Sequence, residues 1–178
     1  HGGSDSGAIG INSIQEKEVI LNISKEILKL NKTIFNNELD VYLTRYKDTL
    51  ISLLDRSQLA KNLDADVFVS LHCNASQNHS KGIEVYVHNS DISNTKKSIM
   101  FGASVLNEST QKLGFKKRGV KFANFQVLRE TTFCPAVLLE LGFVTHIDEA
   151  DYFLKSKNIR AMALTILMGI YNYLVSRL

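Results

Sequence analysis

Apolar residues recur at helical spacing at Ile20, Ile23, Ile27 and Leu30, and farther along they gather into short unbroken runs such as VFVSL and AVLL. The first pattern predicts a helix from about Ser13 to Leu30, with Ser13 and Glu16 in the S-x-x-E arrangement of a capping box. A strand is expected around Leu39 to Thr44, a helix around Leu50 to Leu63 and a short strand from Val67 to Leu71. A strand from Gly82 to Val87 then leads to a helix from about Thr95 to Leu113. Lys116 to Lys121 reads as a basic connection. Phe125 to Leu128 and Ala136 to Leu139 read as two short strands, and Ile159 to Leu174 as a long closing helix. Strands alternating with helices imply an α/β fold, a mostly parallel twisted sheet with helices on both faces. Pro135 stands just before a strand, where its missing N–H is tolerated. Neither a repeat nor a linker interrupts the pattern, so residues 1–178 are expected to form a single domain.

Composition narrows the class. With 178 residues, 44% of them apolar, the chain can bury one substantial core. A net charge of +3 is far from that of a duplex-nucleic-acid binder, and no nucleic-acid partner is expected. The two cysteines, Cys73 and Cys134, lie in no CxxC or CxxH arrangement and read as partly buried thiols. No apolar stretch has the length of a bilayer span. The chain opens at His1 without an initiator methionine, so a processed or trimmed N-terminus is expected, and any export signal would have gone with it.

In open α/β sheets ligands collect beyond the carboxyl ends of strands, which directs attention to polar residues that terminate apolar runs. VFVSL ends in His72, and AVLL ends in Glu140. A lone histidine there is more often structural than a ligand. A carboxylate following four apolar residues is costly to bury without a partner or a role. Glu16 is explained by helix capping alone, yet it shares the inward face of Ile20, Ile23 and Ile27, whereas Glu18 points away. His1 is followed by Gly2 and Gly3, which let the backbone turn sharply beside whatever the histidine binds. Two histidines and a glutamate from three segments, with a second glutamate nearby, match the inventory of a catalytic zinc site with a free carboxylate as general base. The ligands are not clustered in a compact motif such as HExxH.

These residues and their neighbours resemble the zinc-dependent N-acetylmuramoyl-L-alanine amidases of the AmiC, CwlV and CwlD kind. HGGSDSGA resembles that family's opening HGG-x-D-x-GA loop, and Gln15-Glu16-Lys17 its E-K helix start. Thr44-Arg45 with Asp48, then Asp55-Arg56 and Asn62, are similar to its TR-x-x-D and R-x-x-x-A-N patterns. SLHCNA (Ser70 to Ala75) and Gly82-Ile83-Glu84-Val85-Tyr86 resemble two of its strands. Arg118-Gly119-Val120, Val127-Leu128-Arg129 and PAVLLELGFVTH resemble its last third, so the likeness runs the length of the chain.

The resemblance implies His1, Glu16 and His72 as zinc ligands and Glu140 as the catalytic carboxylate. It implies hydrolysis of the amide between N-acetylmuramic acid and L-alanine in peptidoglycan, as an autolysin acting outside the cytoplasm, periplasmic or secreted and associated with the cell wall. Asn74 and Arg129 line the groove on the same grounds. The family has a strand ending in D-x-G just before the HGG histidine. This chain lacks it, so the sheet is expected to be one strand short and His1 less firmly held. His146 stands where asparagine is usual and receives no role. Between Glu84 and Phe101 there is no room for the long plug that occludes the site in some relatives, and control by plug removal is not expected. His79 and His88 read as exposed structural histidines, and Lys116, Lys117 and Arg118 as a solvated loop. Two other readings stay open: a non-catalytic module that holds cell-wall glycopeptide, and a zinc peptidase acting on stem peptides.

Overall fold

The computed structural model describes residues 1–89 and 92–177, and its first helix forms where the apolar stripe lies. In α1 (Glu16–Thr33) Val19, Ile20, Ile23, Ile27 and Leu30 are buried, while Glu18 is exposed. The capping box does not form. Ser13 lies in a turn of 3-10 helix (Ile11–Ser13) at φ 58°, and the N-cap is Gln15 with no side-chain hydrogen bond. Glu16 spends its carboxylate elsewhere, on partners described below.

Helix α2 (Leu53–Asn62) starts three residues later than its sequence pattern suggests, because Ser52 supplies the cap: its Oγ accepts from Asp55 N–H. Strands β1 (Phe68–Asn74) and β2 (Ile83–Val87) follow, then helix α3 (Ile92–Leu113). The basic stretch expected to be a loop is a strand, β3 (Lys117–Phe122), paired in parallel to β2. It lies at the sheet edge, where lysine and arginine discourage pairing with other chains, and such an edge strand looks like a loop in composition. Phe125 to Leu128, expected to be a strand, instead contributes to a one-turn helix, α4 (Gln126–Arg129). A four-residue apolar run does not itself distinguish the two. Strand β4 (Ala136–Phe143), helix α5 (Ile147–Phe153) and helix α6 (Ser156–Val175) complete the chain. Among the described residues no helix is long and apolar enough to cross a membrane.

The strand order is β1-β4-β2-β3. β1 is parallel to β4 and β2 to β3, while β2 meets β4 antiparallel, so the carboxyl ends of β1 and β4 adjoin the amino ends of β2 and β3. Alternation along the strands sorts the two faces. Val137, Leu139 and Leu141 of β4, with Ile83, Val85 and Val87 of β2, face the main core built by α1, α3 and α6. Ala136, Leu138 and Phe68 face a smaller core with Ala60 of α2 and Val127 and Leu128 of α4. The sheet thus carries helices on both faces, as its sequence pattern implies. The smaller core covers only part of the second face, and the remainder of that face carries the polar residues.

The segment expected as a strand at Leu39 to Thr44 is not one. β1 is an edge of the sheet, and a groove of about 860 Å³ lies along it, lined in part by Ile20, Leu39, Val41, Val69, Ile166 and Ile170. The segment has no adjacent strand with which to build a ladder.

Candidate metal centre

Alternation places Ser70 and His72 of β1, Glu140 of β4 and Glu84 of β2 on the same face. They also line up across the strands: His72 is the register partner of Glu140, and Glu140 that of Glu84. Because α1 packs beside edge strand β1, its first residue reaches the end of that strand. Glu16 Oε1 accepts the backbone N–H of Cys73 at 3.1 Å and lies 2.8 Å from His72 Nδ1. The opening loop folds over the same point and brings His1 Nε2 to 3.3 Å from Glu16 Oε1. One donor atom from each of His1, Glu16 and His72 falls within 4.8 Å of the others. The structure therefore brings together the three residues that sequence reasoning selected as ligands, from positions far apart in the chain.

Each of the three is oriented from behind. His1 Nδ1 lies 2.7 Å from Asp5 Oδ2, which fixes the ring with Nε2 toward Glu16. His72 Nε2 lies 3.1 Å from Ser70 Oγ. Glu16 Oε2 accepts the backbone N–H of Ala8 at 2.8 Å. Such outer partners hold metal-binding side chains in position and select their tautomers. His1 is thus well anchored, contrary to the expectation that it is loosely held. The loop itself is clamped by Lys17 Nζ, which donates to Gly3 O and to Asp48 Oδ2 at 2.8 Å each, and by Asp48 Oδ1, which accepts Gly3 N–H at 2.7 Å. Gly7 is required where the loop crosses Glu16. Its φ is 65°, and a Cβ there would sit 2.5 Å from Glu16 Oε2 and 2.8 Å from the His1 ring.

The electrostatics follow from this geometry. The hydrogen bond to Glu16, working against burial and helped by Asp5, raises the His1 pKa to about 9. Burial is the largest single influence on Glu16 and opposes its charge, yet hydrogen bonds from His1 and His72 outweigh it and take the pKa to about 2. Glu140 stands apart from the cluster. Burial first, and then the charges of Glu16 and Glu84, push its carboxyl up to about 8. Its Oε2 is buried without a hydrogen-bond partner. Two imidazoles and a carboxylate suit zinc better than the oxygen-seeking magnesium or calcium.

On the other side of Glu140 lies a second network that sequence reasoning did not identify. Glu84 is buried and accepts from Asn74 Nδ2 (2.8 Å), Tyr86 OH (2.9 Å), Arg118 Nε (2.6 Å) and Lys121 Nζ (2.6 Å). Burial again opposes its charge, but Lys121, Arg118 and Tyr86 hold the pKa at about 2. The sequence carried a signal for Glu84: a carboxylate inside the apolar run IEVYV, the same feature that drew attention to Glu140. Glu84 stands near the start of its strand, whereas ligands in open α/β sheets collect beyond the carboxyl ends. Asp5 is the aspartate of the HGG-x-D-x-GA likeness, but the motif alone does not say that it stands behind His1. Arg129, expected to line the groove, donates to Asn124 O and Oδ1. His146 is the N-cap residue of α5.

The profile of a family described as N-acetylmuramoyl-L-alanine amidase matches residues 1–172. The chain is 36% identical over 166 residues to the sporulation-specific N-acetylmuramoyl-L-alanine amidase of Bacillus subtilis strain 168, covering 92% of this chain and 61% of that protein. It is 40% identical over 152 residues to the endolysin of Bacillus phage SPP1, covering 84% of this chain and 54% of that protein. The chain therefore spans little more than half the length of these relatives. Among solved structures, the N-acetylmuramoyl-L-alanine amidase from Clostridium difficile 630 superposes with a TM-score of 0.90 at 35% identity, covering 99% of this chain and 94% of that one.

Proposed function

The chain belongs to the N-acetylmuramoyl-L-alanine amidase family, and from that premise we propose that it hydrolyses the amide between N-acetylmuramic acid and L-alanine in peptidoglycan with the help of a zinc ion. The observation that carries this reading is the His1, Glu16 and His72 cluster one strand away from a buried carboxyl with an unpartnered oxygen. His1, Glu16 and His72 would hold the metal, and Glu140 would be the catalytic residue. When bound, zinc supplies Lewis acidity, lowering the pKa of a water to about 7 and polarising the carbonyl to be attacked.

The chain's own groups account for the proton movements. Glu140, the cross-strand register partner of His72, would take a proton from the attacking water. As the water oxygen joins the carbonyl carbon and the C–N bond breaks, the same carboxyl delivers that proton to the L-alanine nitrogen, so free stem peptide and a lactyl carboxylate leave. A cation at the triad would favour the ionised, proton-accepting form of Glu140, which burial and the charges of Glu16 and Glu84 oppose. Asp5 and Ser70 keep the two imidazoles aimed. The reading places the action at the cell wall, outside the cytoplasm.

The resemblance also implies a strand ahead of the His1 loop in the complete domain. The open edge of β1, the unpaired segment at residues 39–44 and the apolar groove between them support a place for it beside β1. Extending the chain upstream with such a strand should tighten zinc binding, and equal affinity for both chains would remove the idea.

The amidase reading is tested by incubating purified wall material with the zinc-loaded protein and identifying the products by mass. Stem peptides beginning with a free L-alanine are expected. Shortened peptides would make the protein a peptidase, and binding without release of amino groups would make it a glycopeptide-holding module.

A further inference from the structure

The Glu84 network carries more positive charge than its structural task requires. One buried carboxylate needs one cation, yet Arg118 and Lys121 both converge on Glu84 Oε2 while Asn74 and Tyr86 fill Oε1. With four donors in place, Glu84 has no further acceptor direction to offer. The group therefore keeps a surplus of one positive charge on the face that carries Glu140. The cationic heads are fixed in position. The Arg118 guanidinium lies over the Phe143 ring at 5.1 Å, and Lys121 Nζ lies 5.8 Å from the centre of the Tyr86 ring. They are also open to solvent: the Arg118 side chain is 25% exposed and that of Lys121 40%, against 3% for Glu84. Among the described residues Arg118 Nη2 makes no hydrogen bond, and Lys121 uses only one of its three ammonium donors.

From this arrangement, and resting on the amidase reading, we infer that Arg118 and Lys121 form a carboxylate-binding subsite that recognises an acidic residue of the stem peptide on the leaving-group side of the scissile amide. The reach is right. Glu84 stands two strands from His72, about 10 Å at the usual strand spacing, and Arg118 and Lys121 extend back from β3 to its carboxylate. Each residue of an extended peptide spans up to about 3.5 Å. A carboxylate carried two residues from the scissile carbonyl therefore falls between Glu140 and the cationic heads. Glu84 is a positioning residue here, because it holds the two heads side by side without consuming their remaining donors.

The test compares two substrates that differ only at the second stem residue, one with a free α-carboxylate and one with that carboxylate converted to the amide. The zinc-loaded protein should cut the free acid with a KM about tenfold below that for the amide, the size expected for a charge-assisted hydrogen bond. Lys121→Met, which keeps the aliphatic stem and leaves Arg118 on Glu84, should erase most of that preference by raising KM for the acid alone. In parallel, calorimetric titration with the dipeptide L-alanyl-D-isoglutamate and with its amide should show the same preference in binding. Equal handling of acid and amide by the unaltered protein, in turnover and titration, overturns the subsite. So does a Lys121→Met variant that loses both substrates equally, since that is what a purely structural salt bridge would do. Failure to cut either substrate while the titration still separates acid from amide overturns the amidase reading and leaves the subsite standing.

Discussion

Glu16 and Glu84 are two carboxylates held to the same degree by opposite means. Each is buried, each meets four donor groups, and each has a pKa near 2 despite the desolvation that opposes its charge. Glu16 is held by two imidazoles and two backbone amides. Glu84 is held by a guanidinium, an ammonium, a phenol and an amide. Imidazoles can give up their protons and turn their lone pairs to a metal, whereas arginine and lysine cannot. The first set of partners is exchangeable and the second is permanent. Between them stands Glu140, with one oxygen that has no partner among the described residues, the carboxyl to which the proposed function gives the proton transfer.

The most severe disturbance of this contrast is to remove the proton-moving group and leave both networks intact. Glu140→Gln keeps the shape of the side chain, so the variant should retain zinc and fold while losing about 10²–10⁴-fold in kcat. Metal analysis beside a turnover assay decides this, and loss of zinc would move Glu140 into the ligand set. Next in size is Glu84→Leu, which strands two cations on a partly buried face. Breaking a buried pair from one side typically costs about 3–5 kcal/mol, reduced here because Arg118 and Lys121 keep some access to water. Denaturant unfolding should register the loss without a loss of zinc. Glu16→Gln should do the reverse and release metal first.

A smaller effect is expected at Asp5, the group behind His1. Asp5→Asn should weaken zinc binding about 10–100-fold, the usual range for an outer partner of a ligating histidine. Competition with a chelator measures it, and unchanged affinity would show that the loop clamp alone aims the ring. The subtlest test is pH. In the metal-free protein Glu140 has a folded pKa of about 8 against an ordinary 4.5. A carboxyl whose pKa is raised on folding holds its proton more tightly when folded, so its influence is nil below about 4.5 and destabilising by increments as pH climbs to about 8. His1, raised from 6.5 to about 9, stabilises below 6.5 and loses that contribution as pH rises through 9. Metal-free Glu140→Gln should therefore gain stability relative to the unaltered protein between about pH 4.5 and 8. A difference that stays flat over that window would show that Glu140 is already ionised.

Much of this was legible in the chain because period and burial act locally. The stripe from Ile20 to Leu30 and the closing helix are present as expected, and the ends of VFVSL and AVLL place His72 and Glu140 at the site. The reading failed where the deciding contact lies far along the chain. Ser13 and Glu16 spell a capping box, but Ala8 and Cys73 claim the carboxylate. Lys116 to Lys121 reads as a basic connection because an edge strand such as β3 is commonly charged. Leu39 to Thr44 alternates like a strand and has no neighbour to pair with. Arg118 and Lys121 become meaningful only when an antiparallel contact brings β2 beside β4.

The donors at positions 1, 16 and 72 have a mechanical consequence as well. A cation held by all three would act as a removable cross-link, fastening the opening loop to the tip of β1 and enclosing the least regular stretch of the molecule. Closing a loop costs entropy that grows only slowly with its length, so such a fastening restrains a long segment nearly as easily as a short one. Chelation should then loosen residues 38–51 well before α6 yields, and protease cuts would appear there first.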